Sequence, residues 1–237
     1  MRLGIISALA EEQEGLIEAM QDRVTVTHGM RDYTAGKLWN VDTVAVLSRI
    51  GKVAAAMTAA ILVEKFEVTH IVFTGVAGSA DSGVRVGDVV IAEALVQHDM
   101  DAAPLFPRFE VPLTGLSHLP SDRVLSDRLA GAARKFLEAT SGPQLHRGLI
   151  GSGDQFINDA TRLAALRGAL PGLLAVEMEG AAVAQVCFEL GIPFAVIRTI
   201  SDNANEDAAT DFLHFVQTVA SRYAFEIIRN FCHTQSA

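Results

Sequence analysis

Five short apolar runs in this sequence each end abruptly in polar residues, and that pattern constrains the fold more than any other feature. RLGIIS (2–7) leads to Glu11 and Glu12, and HIVFT (70–74) to the turn Gly75 to Ser79. HRGLIGSG (146–153) leads to Asp154 and Phe156, LLAV (173–176) to Glu177 and Glu179, and PFAVIRTI (193–200) to Ser201 and Asp202. The runs have the length and apolar character of buried strands. Helical patterns separate them, at 51–66, 121–139, 158–170, 179–190 and 207–231. Strands alternating with helices predict an α/β fold: a single domain (1–237) with a central mixed, twisted sheet flanked by helices. In such sheets ligands collect at the carboxyl ends of strands, so five polar ends point to one shared site.

The remaining segments fit around that frame. VTVTHG, RDYTAGKLW and DTVAVLSRI read as a β-meander, and GDVVIAEALVQHD (87–99) as a further strand. EEQEGLIEAM (11–20) reads as a short helix with Leu16, Ile17 and Met20 on one side. Residues 100–120 form a long loop with several prolines. LFPRF (105–109), with exposed Phe, Leu and Pro, points to a protein interface or a lid.

Composition narrows the partners. Half of the residues are hydrophobic, enough for a large core, yet no run approaches the roughly 18 apolar residues of a membrane span. The start of the chain turns acidic after ten residues, unlike a signal peptide, so a cytoplasmic location is expected. With 28 acidic and 19 scattered basic residues the net charge is −9, which disfavours nucleic acid. Cys187 and Cys232 lie in apolar helical patterns and are expected to be reduced core residues.

Each motif has a bland and a functional reading. GVAGSADSG lacks the spacing of a dinucleotide or triphosphate loop, leaving a tight turn or a close backbone approach to a ligand. His98, Asp99 and Asp101 stand at metal-capable spacing, but no second ligand cluster accompanies them, so no metal is expected. Phe156 either fills the core or stacks on a flat ring, and Asp154 caps the next turn. Glu11, Glu12 and Glu14 suit the first turn of a helix, and Ser201-Asp202 a helix cap. Arg198, inside FAVIRTI, is harder to place, because a buried guanidinium needs a carboxylate. With no nucleophile motif, the chemistry on offer is carboxylates, one arginine, serines and an aromatic. That set suits acid–base hydrolysis through an oxocarbenium-like transition state.

The ordered set GIISALAEEQE, IGKVAAAMTAA, TGVAGSAD, VGDVVIAE, HDMD, SGDQFIN, AVEMEGAAVAQVC and IRTISDNA resembles the 5′-methylthioadenosine/S-adenosylhomocysteine nucleosidases of the purine nucleoside phosphorylase superfamily. The likeness runs from residue 3 to about residue 230. It implies a nucleoside phosphorylase-like fold, a homodimer, a small-molecule nucleoside substrate, and no metal or organic cofactor. The implied reaction is irreversible hydrolysis of the N-glycosidic bond of 5′-methylthioadenosine or S-adenosylhomocysteine, giving adenine and a 5-thioribose, as in methionine salvage. Carried over by position, Glu12 activates water, Asp202 is the general acid toward adenine N7, and Arg198 balances the carboxylates, Glu177 and Glu12 among them. Glu179 accepts from the ribose hydroxyls, Met178 packs on the sugar, Phe156 stacks on adenine, the backbone of Ile157 reads its edge, and Ser201 orients Asp202. Val76, Ala77 and Gly78 bring backbone close to the ligand. Leu9, Ile50 and Phe212 line the pocket for the 5′ substituent, closed by Ala102, Leu105 and Phe106 of a partner subunit's loop.

Three departures from the family pattern stand out: Val76 where serine is common, Gln155 in place of a smaller residue, and the loop 100–112. The rival readings are a phosphorylase of the same superfamily, a hydrolase of another 5′-modified nucleoside such as futalosine, and a non-catalytic sensor. A phosphorylase needs arginines for phosphate. Here the first strand runs into Ala-Glu-Glu and TGVAG has no adjacent arginine, which favours water. Glu12 and Asp202 argue against a sensor.

Overall fold

The computed structural model describes residues 1–140, 142–205 and 207–234. Its strands are β1 (Arg2–Ser7), β2 (Met20–His28), β3 (Arg31–Leu38), β4 (Val41–Leu47), β5 (His70–Ser79), β6 (Val89–Gln97), β7 (Leu119–Pro120), β8 (Leu145–Ser152), β9 (Leu173–Glu177) and β10 (Phe194–Asp202). The helices are α1 (Leu16–Ala19), α2 (Lys52–Glu64), α3 (Arg123–Leu137), α4 (Ala160–Ala169), α5 (Gly180–Leu190), α6 (Ala208–Phe215) and α7 (Ser221–His233). The expected mixed sheet with flanking helices is present.

The sheet does more than lie flat between helices. β2, β3 and β4 form the antiparallel meander, and β4, β1, β5 and β10 continue as parallel neighbours. β10 then pairs antiparallel with β6, β6 pairs parallel with β8, and β8 parallel with β9. β9 returns to β5, with Gly78 opposite Val176. Strands β5, β10, β6, β8 and β9 therefore close into a ring, which removes one sheet edge. The ring draws the polar ends of β5, β8, β9 and β10 together, and β1 lies beside β5.

Two apolar clusters cover the sheet. One packs α2 and α5 over Ile6, Val44, Phe73, Leu95 and Val196; the other packs α3 and α7 under Leu3, Ile5, Val72, Ile91 and Ile197. Alternate residues of β1 and β10 thus serve opposite faces, as strand periodicity requires. Asp122 caps α3, accepting from Leu125 N at 2.7 Å, an interaction worth about 1 kcal/mol.

Three local expectations need correction. The helix expected at 11–20 is a 3-10 turn (Glu11–Gln13) followed by the single turn α1. Gly15 between them has φ +80°, a left-handed conformation that interrupts a helix. The closing helix is divided by a π-helical segment, Val216–Ala220, between α6 and α7. Around it Phe215, Val216 and Ala220 pack with Val76, and Leu9 and Phe212 lie against the same cluster. In the 100–120 loop only part of LFPRF is exposed: Leu105 is 83% exposed, whereas Phe109 is buried among Val96 and Ile157, with the Arg108 guanidinium 4.5 Å from its ring centre.

Candidate active site

A cavity of about 310 Å³ opens where the strand ends meet. Glu12, just beyond β1, is only 3% exposed. Its Oε2 accepts from Ala8 N at 2.8 Å and Leu9 N at 2.9 Å, and its Oε1 from Val76 N at 3.0 Å. Burial pushes its pKa up, against the pull of Arg198 and these three amides. The amides fix the carboxylate in one orientation at the cavity wall.

Glu177 and Glu179 divide their work. Glu177 faces inward: its Oε2 accepts from Arg198 Nη2 at 2.6 Å and Nε at 3.2 Å, and from Gly180 N at 2.8 Å. The Ser152 hydroxyl donates to its Oε1, and Ser152 Oγ in turn accepts from Ala181 N at 2.7 Å. Glu177 and Ser152 thereby satisfy the free amides that open α5, although Glu179 occupies the cap position. Glu179 is left to turn toward the cavity, where its Oε1 accepts from Gly51 N at 2.8 Å.

Burial and the neighbouring Glu177 push Glu179 from an ordinary value of 4.5 up to about 8. A carboxyl raised in the folded state contributes stability that is full below its unfolded value and lost as pH rises through the folded one. That window runs from pH 4.5 to about 8. Glu179→Gln keeps the acceptor for Gly51 and removes the titration. At pH 9 it should melt higher than the unsubstituted protein by roughly 5 °C, with a smaller gap at pH 5. Parallel melting curves across that range, followed by circular dichroism, would contradict the assignment.

Asp202 ends β10 and is 2% exposed. Ser201 Oγ donates to its Oδ2 at 2.8 Å and Ala204 N to its Oδ1 at 2.9 Å. Burial nevertheless raises its pKa. The glycine turn of β5 is packed against these acids. A Cβ on Gly78 would lie 2.8 Å from Asp202 Oδ1, and one on Gly75 would lie 2.9 Å from Glu12 Oε1 and 3.2 Å from Arg198 Nη1. The sequence GVAG therefore gives the acids room beside the strand.

Of the residues singled out from sequence, Leu9, Glu12, Ile50, Val76, Ala77 and Gly78 line the cavity. So do Phe156, Ile157, Glu177, Met178, Glu179, Ser201, Asp202 and Phe212. Phe156 is 40% exposed and meets Phe212 edge to face, with ring centres 5.9 Å apart. Arg198 does not line the cavity. It is 1% exposed, stacked 4.1 Å over Phe73, and bonded to Glu177 rather than to Glu12. Ala102, Leu105 and Phe106 lie outside the cavity of their own chain. Ala8, Gln155 and Val176 line it without having been assigned a site role from sequence. A signal was available for Ala8, the first residue after β1.

Two caps differ from expectation. Asp154 caps no following turn; its Oδ1 accepts from Lys52 N, 2.7 Å away at the start of α2, while Asp159 caps α4. Asp202 is committed to the site, and Asp207 precedes α6 without a side-chain cap bond. Asp99 of HDMD forms an ion pair with Lys52 Nζ at 2.7 Å, and the His98 ring packs against Gly153.

The chemistry of the cavity is one-sided. Four carboxylates, Glu12, Glu177, Glu179 and Asp202, line it together with aromatic and aliphatic side chains. Among the described residues no lysine or arginine reaches its wall. Such a site suits a neutral ligand that develops positive charge, held beside a flat apolar surface. It defines a class of α/β protein with a nucleoside-sized, acid-lined cleft at its strand ends.

Comparison with known proteins identifies the family. The phosphorylase superfamily model matches residues 2–232. The 5′-methylthioadenosine/S-adenosylhomocysteine nucleosidase of Shewanella frigidimarina is 35% identical over 228 residues, covering 96% of this chain and 97% of that protein. A nucleosidase of the same name from Neisseria meningitidis, solved in complex with methylthio-immucillin-A, superposes with a TM-score of 0.92 at 35% identity, covering 98% and 99% of the two chains. Futalosine hydrolase of Helicobacter pylori superposes with a TM-score of 0.88 at 31% identity, covering 97% of each. The chain belongs to the phosphorylase superfamily and, within it, to the 5′-methylthioadenosine/S-adenosylhomocysteine nucleosidases. As such it is an enzyme of the N-ribosyl hydrolase kind. Among the described residues no helix is long and apolar enough to cross a membrane.

Proposed function

We propose that the chain, acting as one catalytic domain over residues 1–237, hydrolyses the N-glycosidic bond of 5′-methylthioadenosine, S-adenosylhomocysteine or both, yielding adenine and a 5-thioribose. The observation that carries this reading is the cavity wall: four carboxylates and, among the described residues, no cation. Phosphate finds no lysine or arginine there to hold it, whereas water finds an acceptor in Glu12. The futalosine hydrolase likeness keeps another 5′-modified nucleoside in view as substrate.

In this reading Phe156 and Ile157 hold the base, Met178 packs on the sugar, and Glu179 accepts from the ribose hydroxyls. Asp202, whose protonated form burial favours, gives its proton to N7 as the C1′–N9 bond breaks and its electron pair passes to the base. The positive charge left on the sugar is stabilised by the surrounding carboxylates. The oxygen of the attacking water bonds to C1′ while Glu12 takes its proton. One water is consumed, and base and sugar leave as neutral products. Ser201 orients Asp202. Arg198 acts behind the site as a positioning residue, holding Glu177 and offsetting the charge of Glu12.

The chain works in the cytoplasm, in methionine salvage, as a homodimer in which Ala102, Leu105 and Phe106 of one subunit close the 5′ pocket of the other. The 83% exposure of Leu105 supports such a contact. Assaying methylthioadenosine, S-adenosylhomocysteine, futalosine and adenosine side by side in phosphate-free buffer tests the reaction. Adenine release from the first two is expected; a strict need for added phosphate would contradict it.

A further inference from the structure

Ile50 is shared by two hollows. On one side it closes the acid-lined cavity; on the other it borders an open groove of about 390 Å³ that also contains Arg31, Arg49 and Asp154. The two hollows are joined a second time, because Gly51 lines the groove while its N–H is bonded to Glu179 in the cavity. Ile50 and Gly51 thus stand between the cavity and the groove.

The groove has the charge that the cavity lacks. Among the described residues neither Arg31 nor Arg49 has a carboxylate within ion-pair distance, although the chain carries 28 acids against 19 bases. Arg31 is 7% exposed and is tied down by carbonyls, donating to Gly29 O at 2.8 Å and to Ser48 O at 3.0 and 3.2 Å. Arg49 is exposed and makes one bond, from Nη2 to Met30 O at 2.9 Å. Its backbone sits at φ +69°. A residue with a Cβ is uncommon there, and such outliers cluster at ligand clamps. Asp154, also in the groove, adds one negative charge beside the two positive ones.

We propose that this groove is a tail-binding subsite that selects 5′ substituents bearing a carboxylate, with Arg49 as the specificity determinant and Arg31 fixed beside it. The inference rests on the nucleoside reading of the cavity. An exposed guanidinium with unused donors matches a carboxylate in a two-point contact. If the tail is an amino acid, Asp154 is placed to accept its ammonium group. A methylthio tail has no charge to offer and gains nothing from the groove.

The probes are 5′-(3-carboxypropylthio)adenosine and its carboxamide, which differ only in the tail's charge. Both are titrated calorimetrically against Asp202→Asn protein, with and without Arg49→Gly, so that binding is read whether or not the bond is cleaved. Glycine suits the left-handed backbone at this position. The carboxylate is expected to bind more tightly than the carboxamide, and Arg49→Gly to reduce that ratio about tenfold, with Arg49→Lys restoring part of it. Raising the salt concentration should erode the preference only in protein that retains a cation at position 49. A ratio that Arg49→Gly leaves unmoved overturns the tail subsite, whatever the protein does to the glycosidic bond. Turnover of methylthioadenosine by the unsubstituted protein is measured separately. Its absence would overturn the hydrolase reading while the binding ratio still decides the groove.

Discussion

Asp202→Asn should lower kcat by roughly a thousandfold while leaving binding of an unreactive nucleoside analogue within a few-fold of the original. The side chain keeps its shape, and Ser201 Oγ, which donates to Oδ2 at 2.8 Å, can rotate to accept from the new amide. Ala204 N still meets a carbonyl oxygen in place of Oδ1. What is lost is the proton. Because burial raises the pKa of Asp202, the acid stays protonated to a higher pH than a free aspartic acid would. Activity of the unsubstituted enzyme should therefore fall as pH rises through that raised value, and the limb should vanish from the residual rate of Asp202→Asn. Single-turnover kinetics with analogue titration would separate the two effects. A rate near that of the unsubstituted protein would remove Asp202 from the chemistry.

Arg198→Met should cost about 3 kcal/mol of stability, a drop in Tm of roughly 10 °C for a chain of this size. The guanidinium is 1% exposed, and its Nη2 is 2.6 Å from Glu177 Oε2. Removing it strands a buried carboxylate, and desolvating an unpaired charge costs more than the pair contributes. Ser152 and the amides of α5 still bond Glu177, which limits the loss. Adding Glu177→Gln should recover most of the Tm, because the stranded charge is then gone. Calorimetric melting of the single and double variants decides the matter. A single variant within 2 °C of the unsubstituted protein, or a double variant melting below the single, would contradict a buried charge partnership.

Much of the site was legible because its signals are local. Apolar runs of strand length gave β1, β5, β8, β9 and β10, and the polar residues after them mark where the chain leaves the sheet. Arg198 inside an apolar run called for a carboxylate partner, and Glu177 supplies it. Glu177 and Glu179 looked alike in sequence. Only their surroundings separate a helix-capping charge partner from a carboxyl facing the cavity.

The less legible features depend on contacts between distant residues. Closure of the ring needs β10 beside both β5 and β6 and β9 beside β5, and strand periodicity does not encode such partners. The π-helical segment at Val216–Ala220 breaks no helix propensity rule; it accompanies packing against Val76, more than a hundred residues earlier. Asp154 reads as a local cap, yet it bonds an amide 102 positions away. The groove at Arg31 and Arg49 likewise joins a strand to the approach of a helix, and its two cations are unremarkable until they lie side by side.

Hydrolysis by water activated at Glu12 places the water oxygen on C1′. The most direct measurement is mass spectrometry of the sugar product after turnover of methylthioadenosine in ¹⁸O-labelled water with phosphate present. The expected product is a 5-thioribose carrying one ¹⁸O at C1′, with no sugar 1-phosphate. A sugar 1-phosphate, or a thioribose formed without label, would contradict it.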